Sequence, residues 1–150
     1  MNGFSEYFTF ENMTKSSKYP HLVEQNRKEA IEFLENGKKL SFLCEGIRLF
    51  LCVPMIESSG FRGYTLSTEG KFSLSSTHTK FEALDCQPNG MSVEEAFMKI
   101  KKNAGRFPNL RKVILEKVNG KIWLHIEVKT KETDKLAFYI TENGKDYVRV

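Results

Sequence analysis

The chain has 150 residues, of which 40% are apolar and 28% charged, with a net charge of +4. That is enough for one domain with a real core and too little for two ordinary ones; the charges are interleaved, so the positive field is mild and no arginine-rich or aromatic-interleaved nucleic-acid surface is present. Three cysteines, Cys44, Cys52 and Cys86, make an odd count without a CxxC pair, which argues against a disulfide framework and for synthesis in a reducing compartment.

The opening MNGFSEYFTFENM carries acidic residues where a signal peptide needs lysine or arginine, and no apolar run approaches the roughly 20 residues that span a bilayer. The expectation is a chain made in the cytoplasm without membrane insertion. Leu22, Val23, Ala30, Ile31 and Leu34 recur near the helical period and predict a helix over 22–34, stopped at Asn36-Gly37. Leu40, Leu43, Cys44, Ile47, Phe50 and Leu51 repeat at three and four and predict a more deeply buried helix over 40–51. A short strand over 53–57 delivers Ser59-Gly60-Phe61-Arg62 at its end. Residues 63–76, rich in serine, threonine and glycine, read as a mobile loop over a site, and 81–85 as a strand. Ser92 with Glu95 three residues on forms a capping box; it opens a helix to about Asn103, and Gly105 ends it.

The last third alternates. Residues 112–118 and 121–128 flank Asn119-Gly120, the preferred pair for a two-residue type I′ turn. A second hairpin joins 137–141 to 146–150 around 142–145. The two-residue turn sets Glu116 opposite Trp123 and Ile114 opposite His125. Residues two apart share a strand face, so Val113, Leu115, Ile122, Leu124 and Ile126 form an apolar core side, while Glu116, Trp123, His125 and Glu127 face a cleft. The predicted fold is a single α+β domain, residues 1–150, with N-terminal helices packed on a small, mostly antiparallel sheet.

His78 and Asp85 in SSTHTKFEALD, with His125 in KIWLHIEV, supply two imidazoles and one carboxylate, a set that leaves a fourth position on a zinc ion open for water or substrate. Cys86 follows Asp85 and offers a fourth ligand, but adjacent strand residues point to opposite faces, so a buried small hydrophobe is the competing reading. Glu116 lies diagonally across the hairpin from His125, at roughly 7–8 Å between backbone positions. It is the candidate general base; its alternative is a cross-strand partner for a lysine, and Glu127 is the competing carboxylate. His21 has no partner motif and reads as a surface histidine.

Ser76, His78, Ala83 and Asp85 spell SxHxxxxAxD, which resembles the zinc motif of the M15 peptidase family, the D-alanyl-D-alanine carboxypeptidases and L-alanyl-D-glutamate endopeptidases. FTFENMTKSS at 8–17 is similar to the opening of its phage-type branch, SSGFR at 58–62 to its SGYR segment, and Trp123-Leu124-His125 to its terminal WxH. The four segments keep the family's order over most of the chain. Phe81 stands where the family has glycine, a bulky group that the backbone near the metal must accommodate, and Ile122 where many members carry a glutamate three residues before the last histidine. The resemblance implies a Hedgehog/DD-peptidase-like fold with a zinc cleft. It implies His78, Asp85 and His125 as zinc ligands, and Glu116 as the base that ends the strand before the terminal one. Arg62 would hold a carboxylate or carbonyl of the peptide, unless it forms a structural ion pair. Ser76, which can instead cap the turn before His78, and Trp123 would meet substrate. The implied activity is hydrolysis of peptidoglycan stem or cross-link peptides containing D-amino acids, by a monomer acting on the cell wall after release or within a phage particle. The alternative is a zinc-binding domain with little catalysis that serves as a cell-wall-binding or virion structural module.

Overall fold

In the computed structural model, which describes residues 1–150, Asn119 and Gly120 both have left-handed backbone, with φ of 52° and 76°. A type I′ turn requires this conformation at both positions. The turn joins β3 (Leu110–Val118) to β4 (Lys121–Val128) in the expected register, with Glu116 opposite Trp123 and Ile114 opposite His125. The other edge of β4 pairs antiparallel with β2 (Ala83–Pro88), which places Asp85 opposite His125, and β1 (Met55–Ser59) pairs antiparallel with β2. β4 is therefore filled on both edges. It ends beside the start of β3, so the chain crosses that end through 129–136 and adds β5 (Ala137–Thr141) to β3 in parallel, Ala137 level with Lys112. β6 (Val148–Arg149) turns back antiparallel on β5, which completes a six-stranded sheet of order β1-β2-β4-β3-β5-β6.

One face of this sheet, with Leu84, Val113, Leu115, Leu124 and Ile126 on it, belongs to the buried core. Two helices also contribute to that core. α3 (Leu34–Leu51) brings Leu40, Cys44 and Ile47; α5 (Val93–Lys102) brings Val93, Ala96, Phe97 and Ile100, spaced three and four apart as one helical face. The Ser92 hydroxyl accepts the Glu95 N–H at 3.0 Å and caps α5, while the Glu95 carboxylate pairs with Lys99 at 3.2 Å and does not close the other half of the expected capping box. No helix is long and apolar enough to cross a membrane.

Two expectations are corrected. The helix stop at Asn36-Gly37 does not occur: α2 (Val23–Ala30) and a 3-10 turn precede α3, which runs straight through both residues. Their side of the helix is a docking surface. The Phe81 ring lies so close to Gly37 that a β-carbon there would come within 2.8 Å of it, and the Asn36 amide donates to the Lys80 carbonyl at 3.0 Å. The stretch 63–76 is not all loop either, since α4 (Tyr64–Glu69) occupies its first half.

The N-terminal segment and the SSGFR segment are packed together. α1 (Phe10–Met13) buries Phe10 and Met13, and the Phe61 N–H donates to the Met13 carbonyl at 2.8 Å. Buried Asn26 binds three backbone groups at once: its amide donates to the Thr14 and Phe61 carbonyls, and its oxygen accepts the Gly63 N–H. At Gly60 a β-carbon would collide with the Met13 carbonyl oxygen, so the close approach requires glycine.

Phe81 points away from the cleft expected around His78 and Asp85. Its backbone is left-handed, φ 59°, which directs a fully buried ring among Phe4, Phe10 and Phe61, the last at 5.3 Å between centroids. Left-handed backbone costs a non-glycine residue about 1–2 kcal/mol, whereas losing a buried phenyl costs about 3–5 kcal/mol. Phe81→Gly is therefore expected to destabilise by about 1–4 kcal/mol, a fall of roughly 2–16 °C in melting temperature. A thermal melt at or above the wild-type value would contradict this balance.

Candidate metal centre

The sheet register and one short turn bring the three candidate ligands together. His78 sits on a 3-10 turn, Thr77–Lys80, whose start is capped by the Ser76 hydroxyl accepting the His78 N–H at 3.3 Å. The Gly60 carbonyl lies 2.7 Å from His78 Nδ1. A carbonyl only accepts, so the proton sits on Nδ1 and Nε2 is left facing Asp85 Oδ2 at 3.3 Å. His125 is opposite: its Nδ1 is 2.9 Å from Asp85 Oδ1, and its Nε2 is 2.9 Å from Glu127 Oε1. One ligand atom from each of His78, Asp85 and His125 lies within 4.8 Å of the others, in a buried setting. Two imidazole nitrogens and a carboxylate oxygen are a donor set suited to zinc and other first-row divalent metals. This group can hold a metal ion.

The charges are tightly coupled. Burial opposes ionisation of Asp85, but His78 and His125 overcome it and hold the carboxyl well below its usual range. Burial lowers the His78 pKa, against the pull of Asp85. For His125, burial is outweighed by hydrogen bonds to Asp85 and Glu127, which raise the pKa to about 9. Burial likewise opposes ionisation of Glu127, and His125, Lys112 and Arg111 bring its pKa down to about 2. Glu116 moves the other way: burial and then Asp85 raise it, while His125 and Arg62 pull it back.

The group lies in a cleft of about 560 Å³ whose lining includes the seven residues to which the resemblance gives a site role, Arg62, Ser76, His78, Asp85, Glu116, Trp123 and His125, together with Glu127. Glu116 Oε1 is 3.9 Å from His125 Nδ1, and no lysine reaches the carboxylate; the neighbouring Lys117 pairs with Glu142 instead. Glu127 is fully engaged. Its carboxylate accepts from Thr77 Oγ1 at 3.1 Å and Arg111 Nε at 2.9 Å and meets His125 Nε2 at 2.9 Å, whereas Glu116 has no such partners. Arg62 forms no ion pair; its guanidinium lies over the Phe72 ring at 4.3 Å, and burial lowers its pKa against the pull of Asp85 and Glu116. Arg62 Nε and Trp123 Nε1 are both buried N–H donors without a protein acceptor. Cys86 faces the core, where burial pushes its thiol pKa up, so it is not a ligand. His21 is exposed beside Tyr19.

Sequence reasoning missed Gly60, Thr77 and Arg111, along with the cleft-wall residues Tyr139 and Tyr147. Gly60 and Thr77 lie inside segments already singled out, SSGFR and SSTHTKFEALD, without having been given a role there; Arg111, Tyr139 and Tyr147 belong to no motif. Against known proteins, the sequence matches no family model and no curated protein.

With metal removed by a chelator, His125 has a folded-state pKa of about 9 against an ordinary value of 6.5. Because the folded value is the higher one, this contribution to stability is complete below the ordinary value and is lost as pH rises through the folded one. Between about pH 6 and pH 10 the chelated wild type should lose more melting temperature than chelated His125→Gln. Parallel slopes for the two proteins would contradict the coupling of His125 to Asp85 and Glu127.

Proposed function

We propose that the chain is a zinc-dependent peptidase that hydrolyses peptidoglycan stem or cross-link peptides containing D-amino acids. The observation that carries this reading is the coincidence, in one cleft, of a three-ligand group with one side left to the cavity and a carboxylate with no hydrogen-bond partner, Glu116, beside it. Zinc, when bound, supplies Lewis acidity that acidifies water and polarises a carbonyl. Glu116 takes the proton from the attacking water and passes it to the leaving amine, a task helped by the raised pKa that burial and Asp85 impose on it. Arg62 offers its guanidinium to a carboxylate or to the carbonyl oxygen on which charge develops. Trp123 supplies a further unspent N–H on the same cleft. Ser76 acts through the turn it caps, holding His78 against Gly60. The peptidoglycan substrate class rests on the motif resemblance, and so does action at the cell wall after release or within a phage particle.

The features that favour a binding or virion structural module are Phe81 and the isoleucine at 122 where many M15 members carry a glutamate. Phe81 is turned into the aromatic core, and Ile122 is on the apolar side of β4, with Glu116 on the cleft side instead. Both placements support the peptidase reading over the module.

Glu116→Gln preserves the shape of the side chain and removes its ability to accept a proton. It should keep full zinc content and melting temperature while losing about 10²–10⁴-fold in hydrolysis of purified peptidoglycan; a chelator should abolish wild-type activity. Near wild-type turnover by the variant would rule out Glu116 as base, and a wild type that cleaves no peptidoglycan peptide would turn the reading toward the module.

A further inference from the structure

We propose that Glu127, held in place by Arg111, is the positioning residue for His125: it accepts the Nε2–H and so leaves Nδ1 as the nitrogen presented to Asp85 and the metal position. The assignment rests on the metal reading of the site given above.

An imidazole binds metal through its unprotonated nitrogen, and the acceptor at the other nitrogen decides which one that is. The two candidate ligands are set in opposite senses. Gly60 holds the proton of His78 on Nδ1 and frees Nε2, whereas Glu127 Oε1, 2.9 Å from His125 Nε2, holds that proton and frees Nδ1. With Nε2 engaged by Glu127, the nitrogen that converges with His78 Nε2 and the Asp85 carboxylate is Nδ1, which is 2.9 Å from Asp85 Oδ1.

The carboxylate has no freedom to do anything else. Its side chain is 4% exposed; Oε1 also accepts from Thr77 Oγ1 at 3.1 Å, and Oε2 is 2.8 Å from an Arg111 guanidinium nitrogen. Arg111 is in turn held by Glu82 at 3.2 Å and Asp134 at 3.7 Å. Asp134 accepts the backbone N–H groups of Thr130 and Lys131, and the Thr130 hydroxyl reaches Glu82. The carboxylate behind His125 is thus tied to the start of β2, to β3 and to the turn after β4. A buried charge is tolerated only with such pairing, and the pairing is what fixes the angle of the ring.

Glu127→Gln tests the assignment, because one amide oxygen cannot serve both His125 and Arg111. Either the amide N–H confronts Arg111, or it faces Nε2 and drives the imidazole proton onto Nδ1. In the full-length chain, competition with a chelator should show Zn²⁺ bound about 10–100-fold more weakly than by wild type, and the visible absorption of the Co²⁺-loaded protein should change. The double variant Glu127→Met with Arg111→Met replaces the buried pair by apolar groups of similar volume, an exchange that folds tend to tolerate. It should show the same loss of affinity with a folded circular-dichroism spectrum, and it decides the matter if Glu127→Gln alone fails to fold. A folded variant of either kind that binds Zn²⁺ within about twofold of wild type, well short of the expected loss, overturns the assignment while leaving the metal site standing. A wild type that binds neither Zn²⁺ nor Co²⁺ overturns both.

Discussion

The site depends on the register in which β4 is gripped between β2 and β3. Asp85 faces His125 across one ladder and Ile114 faces it across the other, so the carboxylate–imidazole contact is a direct consequence of strand pairing. The side-chain period of a strand is two, and a slip of one residue would exchange its faces. Leu124, Ile126 and Val128, all fully buried, would then enter the cleft, and Trp123, His125 and Glu127 would enter the core. Burying each such apolar side chain contributes about 1.5–3 kcal/mol, which makes the slipped arrangement strongly unfavourable. The hydrophobic core thereby fixes the geometry of a polar site on the opposite face of the same strand.

Within the site, positioning groups and chemical groups differ in how fully they are paired. Asp85 lies between two imidazoles, Glu127 between an imidazole and a guanidinium, and His78 is bonded to a backbone carbonyl. Pairing of this kind offsets desolvation and immobilises the side chain. Glu116 has no hydrogen-bond partner, and the Arg62 Nε and Trp123 Nε1 donors have none within the protein. Those unspent groups are the ones the proposed mechanism assigns to water and to peptide.

Legibility in the sequence followed the range of the interactions. The β3–β4 hairpin was readable because Asn119-Gly120 is a local backbone requirement and the alternation on either side assigns the faces. The α5 cap and its apolar stripe are equally local. Asn36-Gly37 misled because a strong local stop signal is overridden by a distant ring, Phe81, that needs a glycine beneath it. The left-handed backbone at Phe81 explains how a bulky residue can stand at that position and still leave the cleft open: the chain turns the side chain away. The parallel entry of β5 follows from which sheet edges are already taken, and no dipeptide reports that. The positions of His78, Asp85 and His125 were legible as a motif, but the tautomers that make them useful depend on Gly60 and Glu127, and the Arg111 network joins residues scattered from Glu82 to Asp134. In sequence those residues look like ordinary surface charges.

On the proposed reading, His78, Asp85 and His125 together bind one zinc ion. Native mass spectrometry of the chain reconstituted with Zn²⁺ measures this directly. The wild type should carry one zinc per chain and His78→Ala and His125→Ala none; a wild type that takes up no zinc, or two variants that each keep a full equivalent, would overturn the ligand assignment.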